Sequence, residues 1–276
     1  MMKSDITFGQ YVEGNSLIHR LDPRIKIVAA FLYIIVIFLS KSATAFALLT
    51  LAAIVMAILT GISPRLFLRA MRPLIFIILF TAVINLFFMT GENLLFEFKF
   101  IRIYREGAVN AFLIVLRILL LIVATSVFLT YTTTPLALTD ALEQLLGPLK
   151  KLRVPVHEFS MMMTIALRFI PTLIEETQKI INAQTARGAD FTSGGLIKRG
   201  KALIPILIPL FISAFRRADE LATAMECRCY TGGEGRTRMN TLKSAPRDWV
   251  FLALLILLGA AVILLNRCWP LYLIQI

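Results

Sequence analysis

Two stretches of this sequence set an arginine in the same small-residue context. "AQTARGADF" covers residues 183–191 and "AMECRCYTGGEGRTRM" covers 224–239. Each has an alanine, two residues, a small residue, an arginine and another small residue. The central residues are Ala186, Arg187 and Gly188 in the first, and Cys227, Arg228 and Cys229 in the second. Arginine keeps its charge when partly buried, and its planar fork can donate two hydrogen bonds to one carboxylate. A single arginine at a helix C-terminus needs no function, because that end carries partial negative charge. Two arginines in matching contexts, well separated along the chain, suit a partner that presents two similar sockets.

Other chemistries find little support. "GGEGRTR" at 232–238 invites comparison with a phosphate loop, but the GxxxxGK[ST] spacing is missing and no lysine is placed to meet a γ-phosphate. It reads as a turn after a helix, where glycines reach backbone angles closed to other residues. No Ser/His/Asp set and no HExxH occurs, so no catalytic role is expected. Cys227, Cys229 and Cys268 make no disulfide framework, and His19 and His157 are far away in sequence, so no metal site is expected. Arg117 is the one charge well inside an apolar run. The favoured reading is a guanidinium that snorkels or pairs within a helix bundle; the other is a contact to substrate or partner.

The elements that carry these residues are mostly apolar. The 276 residues are 58% hydrophobic with a mean hydropathy of +0.79, which marks an all-α integral membrane protein. Ile27–Ile62 is apolar except at Ser40-Lys41-Ser42, and is too long for one crossing. It reads as two spans with a tight turn at Lys41. Ser63-Pro64-Arg65, Arg69 and Arg72 form a basic loop, Leu74–Thr90 a third span, Gly91–Glu106 a mixed-charge loop, and Gly107–Tyr131 a fourth span. Trp249–Asn266 is the fifth, with Trp249 and Trp269 at its interfaces. The first apolar run starts only near Ile25, after a mixed polar stretch, so no cleavable signal peptide is expected.

Between residues 132 and 248 the pattern changes. Prolines 135, 148, 155, 171, 205 and 209 punctuate it, and two segments, from Ile170 and from Phe211, show helical period with a polar face. Ala202–Phe215 is apolar but short, and reads as a packed or interfacial segment rather than a sixth span. Three regions result: an N-terminal membrane domain over 1–131 with about four spans, a cytoplasmic helical domain over 132–248, and a C-terminal span over 249–276. The net charge of +12 is assigned to topology, since no basic-aromatic module for nucleic acid is present. With 1–26, 63–72 and 132–248 inside, 23 Lys/Arg are cytoplasmic and 5 external. The N-terminus is then cytoplasmic and the C-terminus outside. A pair of homologous ATPase subunits is a partner that offers two similar sockets to such a cytoplasmic domain.

The residues also match a family. "GNSLIHRLDPRIKI" at 14–27, "LRFIPTL" at 167–173, "ARG" at 186–188 and "AMECRCYTGGEGRTR" at 224–238 resemble the transmembrane T component of energy-coupling factor (ECF) transporters, importers of the ABC superfamily. The likeness covers nearly the whole chain. It departs at the second motif, where Cys-Arg-Cys stands in place of Ala-Arg-Gly and Cys229 lacks the freedom of glycine. The resemblance implies a non-catalytic subunit of a prokaryotic cell-membrane complex. Its partners would be two cytosolic ATPases that bind ATP and Mg, and one or several interchangeable membrane S subunits that bind a vitamin or other micronutrient. Arg187 and Arg228 would each dock into one ATPase, and the chain itself would hold no cofactor. Two alternatives stand beside it: the T subunit of a dedicated cobalt or nickel importer, and an ordinary permease that binds substrate itself. The latter predicts inverted repeats with broken spans and polar centres, and no such pair is seen. A membrane enzyme is disfavoured by the missing catalytic set.

Overall fold

The computed structural model describes residues 11–89, 94–98, 101–189, 191, 195–233, 242 and 244–268. It divides into two compact units, one formed by residues 1–141 with 242–276 and the other by 142–241.

In the first unit, α1 (Pro23–Leu39) and α2 (Ala43–Thr60) are separated at Ser40-Lys41-Ser42, where the polar island interrupts the apolar run. Basic residues 65–72 are helical rather than a loop. Pro64 opens α3 (Pro64–Met71), a 3-10 turn carries Pro73, and α4 (Ile75–Phe88) follows. Proline suits the first turn of a helix because its missing N–H would have no partner there. Residues 94–104, expected as loop, contain a hairpin: β1 (Leu94–Phe98) pairs antiparallel with β2 (Ile101–Tyr104), and Glu97 faces Arg102 in register. The alternation Phe-Glu-Phe and Ile-Arg-Ile carries the period of two that strands require. α5 (Arg105–Thr125) ends in a wide π turn over Ser126–Thr130. α6 (Pro135–Leu145) straddles the boundary between the units, and α9 (Pro246–Cys268) returns to the first. Trp249 is exposed near the start of α9; Trp269 lies outside the described residues.

Among the described residues, four helical stretches are long and apolar enough to cross a membrane: Ala43–Thr60, Pro64–Phe87, Arg105–Thr130 and Pro246–Cys268. α1 has 17 residues, roughly 26 Å, at the short limit for a span. The expected count of five is thus four by length plus this shorter helix. The protein is an all-α integral membrane protein that carries one small hairpin. Its outward faces, such as Leu51, Ile58, Phe76, Phe80, Leu257 and Leu264, are exposed apolar surface of the kind a bilayer covers.

The core of this unit lies around α1. Tyr33 is fully buried, donates its hydroxyl to the Leu49 carbonyl at 2.8 Å, and meets the edge of Phe128, which in turn meets Phe251 of α9. Polar knots close both ends. At the first, Asp22 caps α1 by accepting from the Arg24 N–H, and the Arg24 guanidinium donates to Asp22, to the Leu242 carbonyl and to Ser244. Burial pushes the Asp22 carboxyl up, but the bonds and charge of Arg24 outweigh it and hold it below the usual value. Lys26, 1% exposed, donates to the carbonyls of His19 and Thr132, while Asp248 accepts from the Asp22 and Ala245 N–H groups. At the second knot, Asn266 accepts from the N–H groups of Lys41 and Ser42 and donates to the Leu39 carbonyl. These bonds give the "LDPRIK" stretch a structural role. It ties the start of α1 to the start of α9 and to the segment after α5.

Candidate coupling interface

The second unit is dominated by α7 (Val156–Ala186) and α8 (Leu196–Cys227). Both are longer than the two amphipathic segments expected from the sequence, because Pro171, Pro205 and Pro209 sit inside them. An internal proline costs a hydrogen bond and kinks a helix without necessarily ending it. The apolar stretch 202–215 is therefore a part of α8.

The two helices share contacts around their middles. Leu173 lines one groove with Leu207, Ile208, Leu210, Phe211, Ile212 and Ala214. Phe169 lines the adjoining one with Ser213, Arg217 and Leu221. Glu176 accepts hydrogen bonds from the Ser213 hydroxyl and from the Arg217 guanidinium, the latter at 2.8 Å. After α8 the chain returns to the first turn of α7. Gly233 lies so close to the His157 ring that a Cβ there would collide with it, and His157 is held in turn by Glu143 at 2.9 Å. The C-terminus of α8 is thus on the side of the α7 N-terminus, and Arg187 and Arg228 mark opposite ends of the pair. The structure does not bring them together.

Their local geometry is the same. Arg187 is the C-cap of α7 and Arg228 the C-cap of α8. The next residue is left-handed in both, Gly188 at φ 89° and Cys229 at φ 54°. The following N–H then reaches back into the last turn: Ala189 donates to the Gln184 carbonyl and Tyr230 to the Met225 carbonyl, both at 3.0 Å. This is the Schellman closure of a helix. Cysteine therefore keeps the shape that glycine gives the other site, at the steric cost of a Cβ in the left-handed region. Ala186, Arg187, Gly188, Cys227, Arg228 and Cys229 are all exposed. Among the described residues neither guanidinium has a hydrogen bond or ion pair. The backbone closes both caps without the arginine side chains, which leaves two charged forks at the tips of two arms.

Arg117 is placed elsewhere, in the first unit. Its guanidinium donates to the Ser40 carbonyl at 3.1 Å and lies over the rings of Phe38 and Phe46. Near the start of α1, Lys26 meets Thr132, just past the end of α5; beyond the far end of α1, Ser40 meets Arg117. Arg117 is thus level with the α1–α2 turn and Asn266, not with the middle of the bundle. Among the described residues no group of three or more His, Cys, Asp or Glu is placed to hold a metal ion.

A bundle of apolar helices is thus joined in sequence to a pair of long helices with twin arginine tips. The chain belongs to the CbiQ family, described as cobalt transport protein, which matches residues 14–239. It is also 52% identical over 265 residues to the energy-coupling factor transporter transmembrane protein EcfT of Ruminiclostridium cellulolyticum, covering 96% of this chain and 98% of that one. The EcfT proteins of Acidaminococcus fermentans and Bacillus subtilis are 53% and 46% identical, over 94% and 96% of this chain and 97% and 100% of theirs. The family is that of the transmembrane components of ECF transporters.

Sequence reasoning singled out both arginines through their repeated context, and the structure places each at the C-cap of a helix. The same reasoning missed Lys26, Asp248 and Asn266 as bundle ties and Glu176 and Arg217 as a pair. The stretch "EE" at 175–176 facing "RR" at 216–217 is the signal that points to the last.

Proposed function

We propose that this chain is the coupling subunit of an ECF importer, and that Arg187 and Arg228 are its links to two homologous cytosolic ATPases. The observation that carries the reading is the duplicated cap: two exposed, unpaired arginines in one backbone geometry, at opposite ends of the α7–α8 pair. A symmetric pair of ATPases is the simplest partner for two equal plugs. Carboxylates in the sockets would be recognised by the arginine forks. In this reading the chain performs no chemistry. ATP and Mg are held by the ATPases, and their motion reaches the membrane through α7 and α8. The exposed apolar side chains of those helices, among them Phe159, Met162, Leu207, Phe211 and Phe215, serve the S subunit that holds the vitamin or other micronutrient. The N-terminus and the α7–α8 unit are cytoplasmic, in agreement with the excess of basic residues there.

The test is to purify the tagged chain from its native membrane and identify what comes with it. Two ATPases of related sequence together with one or more membrane S subunits are expected. A second reading, a dedicated cobalt or nickel importer, is favoured by the description of the matching family. A single recurring S subunit that binds those ions would select it. Recovery of the chain alone, still able to transport, would select a permease and contradict both.

A further inference from the structure

The two arms match over more than their tips. Laying the sequence of α7 on that of α8 so that Arg187 falls on Arg228 also places Ile165 on Ile206, Ile170 on Phe211 and Ile180 on Leu221. The helices have 31 and 32 residues. In this alignment Glu176 falls on Arg217, and those two residues touch each other at 2.8 Å. Leu173 falls on Ala214, and they line the same groove. When two copies of one element are related by a two-fold axis, the residues that meet their own equivalents are those beside the axis. Each cap arginine is also equally far from this pair, roughly 17 Å along its own helix.

We infer that α7 and α8 are two copies of one structural repeat, related by a local two-fold axis beside the Glu176–Arg217 ion pair, and that this pair is a positioning element that sets the separation of the Arg187 and Arg228 tips. Charge makes the arrangement directional. Identical copies would bring like charges together at the axis. Here one copy reads Glu175-Glu176 and the other Arg216-Arg217, so the crossing of α7 with α8 is attractive while α7 with α7, or α8 with α8, is repelled. The pair is partly shielded, with side-chain exposures of 24% for Glu176 and 33% for Arg217, and the Ser213 hydroxyl also donates to Glu176. By contrast Arg216 bonds Glu220 on its own helix, in open solvent, where such a pair contributes little.

The experiment measures the arms directly. In the full chain in nanodiscs, with Cys227→Ala, Cys229→Gly and Cys268→Ser, spin labels are attached at Asn182→Cys and Thr223→Cys, which are equivalent and exposed. One narrow distance is expected. Arg217→Glu should shift or broaden it, and adding Glu176→Arg should restore it, because the swapped pair keeps the attraction. Should Arg217→Glu fail to fold, Glu176→Gln removes the charge while keeping the shape, and should also broaden the distance. An unchanged distance in the charge variants, or a folded swap variant that stays displaced, overturns the inference. The consequence for transport rests on the coupling reading above: uptake should fall with Arg217→Glu and return with the swap. If the distance follows the swap but uptake never changes, the axis stands and the coupling reading fails.

Discussion

Cys229 is held at φ 54°, where a Cβ crowds the backbone, while its counterpart Gly188 reaches φ 89° without that penalty. A non-glycine residue in the left-handed region costs roughly 1–2 kcal/mol. The geometry survives because the same two backbone bonds close both caps. Cys229→Gly should therefore firm the end of α8 by about 1 kcal/mol, seen as roughly fivefold greater protection of the amides near Tyr230 in hydrogen exchange. Cys229→Val should loosen it, because a β-branched residue fits that region worst. Equal protection in all three would mean that the cap does not depend on this residue. The closure uses backbone bonds alone, so the Arg228 side chain takes no part in it.

At the scale of elements, Arg117 pins α5 to the α1–α2 turn through the Ser40 carbonyl. Arg117→Lys keeps a cation and a donor there, and should leave uptake near normal. Arg117→Leu leaves that carbonyl without this partner and removes the ring contacts with Phe38 and Phe46. It should lower thermal stability by roughly 1–3 kcal/mol while both ATPases still copurify. Loss of uptake with stability unchanged would instead give Arg117 a contact with substrate or partner. Much of this bundle was legible in the sequence. The polar island at Ser40–Ser42 divides α1 from α2, and the apolar runs ending near Tyr131 and Asn266 are helices. Three features were not legible. The hairpin at 94–104 was masked by its charges, although its alternation has the period of a strand. The arginines at 65–72 suggest solvent and a loop, yet Pro64 opens a helix there. The prolines of α7 and α8 suggest breaks, yet the helices continue through them. The arginine tips could be found because small residues frame them twice. The ion pair between the arms has its signal in the paired charges at 175–176 and 216–217, but a charged face on an amphipathic helix reads as solvent-facing until its partner is in place.

For the whole molecule, the distribution of basic residues predicts that the β1–β2 hairpin is external and the α7–α8 unit cytoplasmic. In a background without Cys227, Cys229 and Cys268, a cysteine at position 97 should react with an impermeant thiol reagent added to intact cells. One at position 179 should react only after the cells are opened. The opposite pattern would invert the topology and detach the arms from any cytosolic partner. With the arms inside, losing one partner of a desolvated charge pair costs roughly 2–5 kcal/mol, or about thirtyfold to several thousandfold in affinity. Reversing one arginine should then weaken one ATPase contact while the other persists.

The most direct test is the Arg187→Glu/Arg228→Glu double variant, with Lys150→Glu, an exposed charge outside both arms, as control. The measurement is retention of the two ATPases on the purified chain, read alongside uptake in the same cells. The account predicts that the double variant inserts in the membrane and keeps its S subunit, loses both ATPases and nearly abolishes uptake, while the control behaves as wild type. A double variant that keeps both ATPases and transports normally would reduce the two arginines to helix caps and contradict the account.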